Sequence, residues 1–248
     1  MSDSEKLRFY LLKAVAKACH EFKLLEPGDR IAVGVSGGKD SFTLLELLVH
    51  AQRSPRPVLH GGPYTLVALH VDGSAAGLPD LRPVLQPWLE ELGVAYAFVP
   101  LELRDDEPRP LDCFRCAFNR RKTLFLAAER LGCTKIAFGH HLDDAAATAL
   151  MNLLQQGRLE GLPPRREFFR GHFALIRPLI YLTEADTRRY ARSRGWELAP
   201  ESSCPRAHLT RRKQVEAFLA SFPPREREQI RANLWRAALP NTLRQAEE

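Results

Sequence analysis

"RIAVGVSGGKDSFTLLELLVHAQ", residues 30–52, decides how this chain is read. After Arg30 its first residues, 31–35, are apolar and partly β-branched, the mark of a short buried strand. Gly37 and Gly38 then interrupt the run, and residues 41–52 resume with apolar side chains at helical spacing. The order is strand, loop, helix. The loop from Gly34 to Ser41 combines glycines, hydroxyls, one lysine and one acid. Glycines let backbone N–H groups close on an anion, the following helix directs its positive end there, and Lys39 adds a charge. Such a loop should hold phosphate.

The same order repeats along the chain. "YTLVALHVD" (64–72) reads as a strand, "LPDLRPVLQPWLEELG" (78–93) as a proline-interrupted helix and "VAYAFVPLEL" (94–103) as a strand. "RRKTLFLAAERLGC" (120–133) reads as a helix, "TKIAFGHH" (134–141) as a strand and "DDAAATALMNLLQQG" (143–157) as a helix. Alternating strands and helices predict an α/β fold, an open parallel sheet with helices on both faces. Residues 157–171, with Pro163, Pro164 and several arginines, read as a long loop. We expect an N-terminal helical segment over 1–29, an α/β domain over 30–182 and a C-terminal helical extension over 183–248.

A chain of 248 residues with 45% hydrophobic and 27% charged side chains can bury one sizeable core. No apolar stretch approaches a membrane span, and the charged, amphipathic N-terminus has no signal core, so the expectation is a cytoplasmic protein. The net charge of +6 comes mainly from arginine, in clusters such as "NRRK" and "LTRRK", which favours a polyanionic partner. Five cysteines without a secretion signal argue against a disulfide framework and turn attention to metal or sulfur chemistry.

The glycine loop is not a Walker A motif, which needs G-x-x-x-x-G-K-[ST]; Gly34 to Gly38 is one residue short and Asp40 follows the lysine. The glycine spacing also excludes G-x-G-x-x-G. S-G-G-K-D-S after a strand instead resembles the PP-loop of the ATP pyrophosphatases, which split ATP between its α- and β-phosphates. That resemblance implies that Ser36, Gly37, Gly38, Lys39, Asp40 and Ser41 cradle the pyrophosphate. "GHHLDDAAAT" (139–148) ends a strand where open parallel sheets gather ligands. Asp143 and Asp144 could simply cap the next helix. The stretch also resembles the second motif of the PP-loop family, by which Gly139 approaches the nucleotide and Asp144, with Asp143 behind it, supports Mg2+ or substrate activation.

Cys113 and Cys116 form C-x-x-C, and Cys204 follows about ninety residues later. Three thiolates suit a [4Fe–4S] cluster with one open iron. His208 would complete a four-ligand zinc site, and a redox or persulfide-carrying pair is a third option. All three motifs occur in this order in the tRNA 2-thiocytidine synthetase family of PP-loop enzymes, which this chain resembles from about Leu7 to Leu219. The resemblance implies that Cys113, Cys116 and Cys204 hold the cluster and that Arg120 faces the nucleotide. It further implies ATP-dependent replacement of the C2 oxygen of cytidine 32 in the tRNA anticodon loop, with sulfur from sulfide or a cysteine desulfurase. A second C-x-x-C, frequent near the distal position, is absent here, where Cys204 precedes Pro205; 2-thiouridine synthesis therefore stays open. So do a lysidine-type ligase and a zinc-stabilised nucleotide- or RNA-binding module. Cys19 and Cys133 read as buried small hydrophobes. The opening helix and the C-terminal helices are compatible with a homodimer.

Overall fold

Residues 30–52 form β1 (Arg30–Gly34), a loop, and α2 (Lys39–Arg53). The structure, a computed structural model, describes residues 3–55, 58–103, 111–196 and 210–239. Ile31, Ala32 and Val33 are buried because β1 has parallel neighbours on both sides, β2 (Thr65–Asp72) and β4 (Lys135–Ala137). β3 (Ala95–Pro100) adds beyond β2, and β6 (Phe173–Ile176) beyond β4, both parallel. β5 (Arg165–Phe168) closes the far edge, antiparallel to β6, giving the order β3-β2-β1-β4-β6-β5.

That order creates the binding crevice. From β1 the chain crosses to β2 on one side and later returns to β4 on the other, so the loops leaving β1 and β4 diverge above the gap between them. Ligands of open α/β sheets sit at such a switch point.

One face of the sheet is covered by α1 (Asp3–Glu21), α2 and α3 (Arg82–Leu92), the other by α4 (Cys113–Arg130). Leu44, Leu45, Leu47 and Leu48 of α2 are all fully buried, each contributing about 1.5–3 kcal/mol. They surround α2 with apolar contact because α6 (Glu184–Ser193) packs on its outer side. α7 (Arg211–Ala220) and α8 (Pro224–Ala238) instead pack on α5 (Leu142–Gln156).

Two elements differ from the sequence expectation. Part of the expected loop over 157–171 is β5, which an edge needs to pair on one side only. Its polar alternation, Arg165 with Glu167 at 3.0 Å on one face and Arg166 over the Phe168 ring on the other, is the charged composition that protects an edge from further pairing. α4 starts at Cys113 rather than Arg120, because Asp112 accepts the Arg115 N–H at 2.7 Å and caps the helix. C-x-x-C thereby becomes the first helical turn.

Candidate functional site

The glycine loop is held shut by its own hydroxyls. Ser41 Oγ donates to the Gly38 carbonyl at 2.9 Å, which leaves Ser36 Oγ to donate to Ser41 Oγ at 3.1 Å. The Gly38 N–H then reaches Ser36 Oγ at 3.3 Å. Gly37 has φ +85°, a left-handed turn that a side chain would strain. At the loop entrance, Val35 donates its N–H to Leu69, and the His70 Nδ1–H donates to the Val35 carbonyl, both at 2.8 Å. Gly38 is the N-cap of α2 and provides no capping side chain. The helix start therefore presents N–H groups that lack a carbonyl four residues back, the arrangement an anion fills.

Lys39 is 7% exposed and lies between Asp40 (3.3 Å) and Glu184 (3.2 Å). Burial opposes its charge, but the two carboxylates outweigh burial and raise its pKa. Asp40 is tied in turn to α6, accepting from Thr187 Oγ1 at 2.6 Å. Glu184 would be raised by burial; the hydrogen bond from Arg188 and the charge of Lys39 bring it down to about 2.

The second motif comes against the first at one close point. A Cβ on Gly139 would stand 2.8 Å from the Asp40 carbonyl carbon and oxygen. Asp144 accepts the His141 N–H at 2.8 Å and is paired with Arg212 of α7. Asp143 accepts the Glu184 N–H at 2.8 Å and is paired with Arg231 of α8. The two acids are thus the contact between the strand-end loop and the C-terminal helices. A cavity of about 540 Å³ lies on this flank, lined by Lys39, Asp143, Arg188 and Arg231 among others.

On the opposite flank, Arg177 Nε donates to His140 Nδ1 at 3.3 Å. A guanidinium cannot accept, so Nδ1 carries no proton and the neutral ring bears its proton on Nε2. Burial first, then Arg177, pushes the His140 pKa down to about 3. His140 lines a cavity of about 330 Å³ together with Ser36, Asp40, Ser41, Gly139 and Asp144. Both motifs thus open into one space.

The remaining wall is α4. Ala117, Arg120, Arg121 and Leu124 line the cavity. Cys113 and Cys116 precede Ala117 and Arg120 by four residues, one helical turn or about 6 Å further along the axis. Cys113 is exposed and Cys116 half-buried, and no disulfide joins them. Two thiols in the first turn of a helix, whose aligned dipoles favour negative charge, suit a thiolate-ligated cluster. Cys204 and His208 lie outside the described residues. Among the described residues no three His, Cys, Asp or Glu side chains converge to hold a metal ion. Cys19 and Cys133 are buried, and burial raises both thiols, that of Cys19 to about 12.

Sequence reading passed over Arg177, Glu184, Arg212 and Arg231, which bear directly on this site. Glu184 follows Thr183, whose hydroxyl caps α6, so the cap alone could have placed it at a helix start facing the loop. Arg212 lies in the LTRRK cluster, but nothing local says which acid it meets, and nothing local marks Arg177 or Arg231.

The tRNA-cytidine(32) 2-sulfurtransferase of Neisseria meningitidis is 36% identical over 228 residues, 90% of this chain and 69% of that protein. The enzyme of the same name from Vibrio cholerae is 36% identical over 225 residues, 89% of this chain and 70% of that protein. The U34-tRNA thiolase NcsA of Methanococcus maripaludis, solved with its [4Fe–4S] cluster, superposes with a TM-score of 0.72 at 21% identity, covering 98% of this chain and 81% of that one. At that identity the likeness is one of fold. No protein-family model matches the chain. Among the described residues no helix is long and apolar enough to cross a membrane.

Proposed function

Because the chain belongs to the tRNA-cytidine(32) 2-sulfurtransferase family, we propose that it uses ATP to replace the C2 oxygen of cytidine 32 in tRNA with sulfur. The C2 oxygen attacks the α-phosphorus of ATP, and the bond to the β-phosphate breaks, releasing pyrophosphate. Sulfide then forms the C–S bond at C2, and AMP leaves with the former carbonyl oxygen. The oxygen, a poor leaving group, has become a good one.

The roles follow from charge and position. The uncapped start of α2 and the Lys39 ammonium receive the charge that builds on departing pyrophosphate, with Ser36, Gly37, Gly38, Asp40 and Ser41 shaping the cradle. Arg120 lies on the cavity wall, which supports a role facing the nucleotide. The neutral His140 offers its Nε2–H as a hydrogen-bond donor within the cavity. Gly139 allows the two loops to meet at the Asp40 carbonyl. Asp143 and Asp144, each paired with an arginine, are positioning residues that fix the strand-end loop against α7 and α8. Their carboxylates already hold Arg212 and the His141 N–H, and Arg231 and the Glu184 N–H, so as placed they do not form a magnesium cage.

Cys113 and Cys116, with Cys204 as third ligand, are the residues to hold a [4Fe–4S] cluster. When bound, it supplies an iron without a protein ligand at which sulfide is kept nucleophilic. The helix turn between these thiols and Arg120 keeps sulfur and activated base close, which favours thiolation over hydrolysis.

The observation that carries this reading is the single cavity lined at once by Ser36 and Ser41, by Gly139 and His140, and by Arg120 one turn from C-x-x-C. The test is anoxic, iron- and sulfide-reconstituted protein with unmodified tRNA, ATP and a sulfide source. Nucleoside mass spectrometry should find 2-thiocytidine at position 32. A protein that carries iron and sulfide yet thiolates no tRNA would refute it.

A further inference from the structure

Charge is distributed unevenly about the ATP cavity. On the α5–α8 flank, Lys39, Arg188, Arg212 and Arg231 all have carboxylate partners. Across the cavity, Arg121, Arg166 and Arg177 have none among the described residues. Arg177 is the telling member, since it is only 6% exposed. Its contacts are the neutral His140 ring and the Pro163 carbonyl. Burial first, then Arg121 and Arg166, pull its pKa down to about 10. Asp144 acts on it only at a distance, and among the described residues no carboxylate pairs with it; a buried guanidinium with two cationic neighbours is then an expensive arrangement unless an anion arrives.

Ring contacts connect these groups across one face of the molecule. Arg166 lies 5.3 Å from the centre of the Phe168 ring, on the α4 side of β5. Phe168 meets Phe125 of α4 at 5.2 Å, and Phe125 stands one turn beyond Arg121. Phe168 and Phe125 therefore join the strand that carries Arg166 to the helix that carries Arg121. Phe114, Phe118, Arg121 and Phe125 are spaced four, three and four residues apart, a single stripe of α4. Its upper members are the odd ones: Phe118 is 57% and Phe114 79% exposed.

We propose that this surface, between α4 and the β5–β6 edge, binds the single-stranded RNA around the target base, with Arg121, Arg166 and Arg177 on backbone phosphates and Phe114 and Phe118 stacking on bases. The proposal rests on the tRNA reading above and names where that substrate lies. Unpaired cations alternating with exposed aromatics are the composition that single strands require, since phosphates need charge and every base has a face to stack. ATP can reach Arg121 on the cavity wall but does not account for Arg166. Its phosphates belong to the glycine loop after β1, and β5 is three strands away, about 14 Å at the usual strand spacing. RNA entering here passes His140 and reaches the cavity from the side opposite the paired flank.

The test compares Arg166→Glu and Phe114→Ala with an equal charge reversal at Arg130, an exposed residue near the far end of α4. Each exposed position allows substitution without disturbing the core. Unmodified tRNA transcript binding is measured by filter retention over a series of salt concentrations, and a non-hydrolysable ATP analogue by calorimetry. Arg166→Glu should weaken tRNA binding by about tenfold or more and flatten the dependence of log K on log salt by about one phosphate contact. Phe114→Ala should weaken binding about fivefold or more with the salt slope unchanged. Analogue affinity should stay within twofold in both. The proposal is overturned if Arg166→Glu binds tRNA as well as Arg130→Glu does, or if it loses the analogue as strongly as the tRNA. A wild-type protein that binds no tRNA would instead bring down the functional reading itself.

Discussion

Alanine at Gly139 probes the meeting of the two motifs most directly. The added Cβ would lie 2.8 Å from the carbonyl carbon and oxygen of Asp40 and 3.0 Å from the Ser41 nitrogen. Ordinary contacts of this kind begin at 3.4 Å, so the overlap is about half an ångström or more and falls on backbone atoms of the first turn of α2. No side chain can swing aside to relieve it. Overpacking of this kind costs about 1–3 kcal/mol, which lowers the melting temperature of a chain of this size by about 2–12 °C. The functional cost should be larger, because the atoms displaced belong to the pyrophosphate cradle. Misplacing a catalytic element by an ångström costs on the order of a hundredfold. Pyrophosphate release in the presence of tRNA should therefore fall about ten- to a hundredfold. Gly38→Ala is the discriminating companion: its Cβ would meet only Ser36 Oγ, at 3.5 Å, and φ is −78°. That variant should melt like the wild type and lose ATP affinity alone, since the new methyl stands at the uncapped helix start. If Gly139→Ala keeps the wild-type melting temperature and releases pyrophosphate within twofold of normal, the close approach of the two loops is not what organises the cradle.

Further outcomes are expected at neighbouring groups. Cys113→Ser and Cys116→Ser should each abolish iron and labile-sulfide retention after anoxic purification while leaving ATP-analogue affinity unchanged; full iron content in either variant would exclude that thiol as a ligand. Glu184 is held at about 2, so its ionised form stabilises the folded protein above the ordinary value of 4.5, and that contribution is lost as pH falls from there toward 2. Glu184→Gln should accordingly show a shallower acid-side loss of melting temperature in that window, and an identical slope would mean that its pairs with Lys39 and Arg188 do not persist in solution. His140 should remain neutral, with the proton on Nε2, from pH 5 to 8 when followed by nitrogen-15 NMR; a titration near pH 6.5 would contradict its contact with Arg177.

What the sequence determined by itself was local. Residues 30–52 announce strand, loop and helix because apolar period, paired glycines and a lysine act over a few residues, and the backbone they dictate already contains the anion site. "GHHLDD" was legible for the same reason, as a strand end running into a capped helix. C-x-x-C was legible as chemistry but not as geometry, until Asp112 capped α4 and put both thiols on the turn before Arg120. The tertiary structure alone decided which charges are neutralised. Asp144 meets Arg212 across 68 residues of sequence and Asp143 meets Arg231 across 88, only because α7 and α8 pack on α5. It also decided that β5 pairs antiparallel with β6, which sets Arg166 and Arg177 near Arg121, with no carboxylate in ion-pair contact with any of the three among the described residues. Coulomb energy depends on separation in space, and a helical or strand period constrains that separation for a few residues only; beyond them, packing determines which arginine is paired and which is left for a ligand.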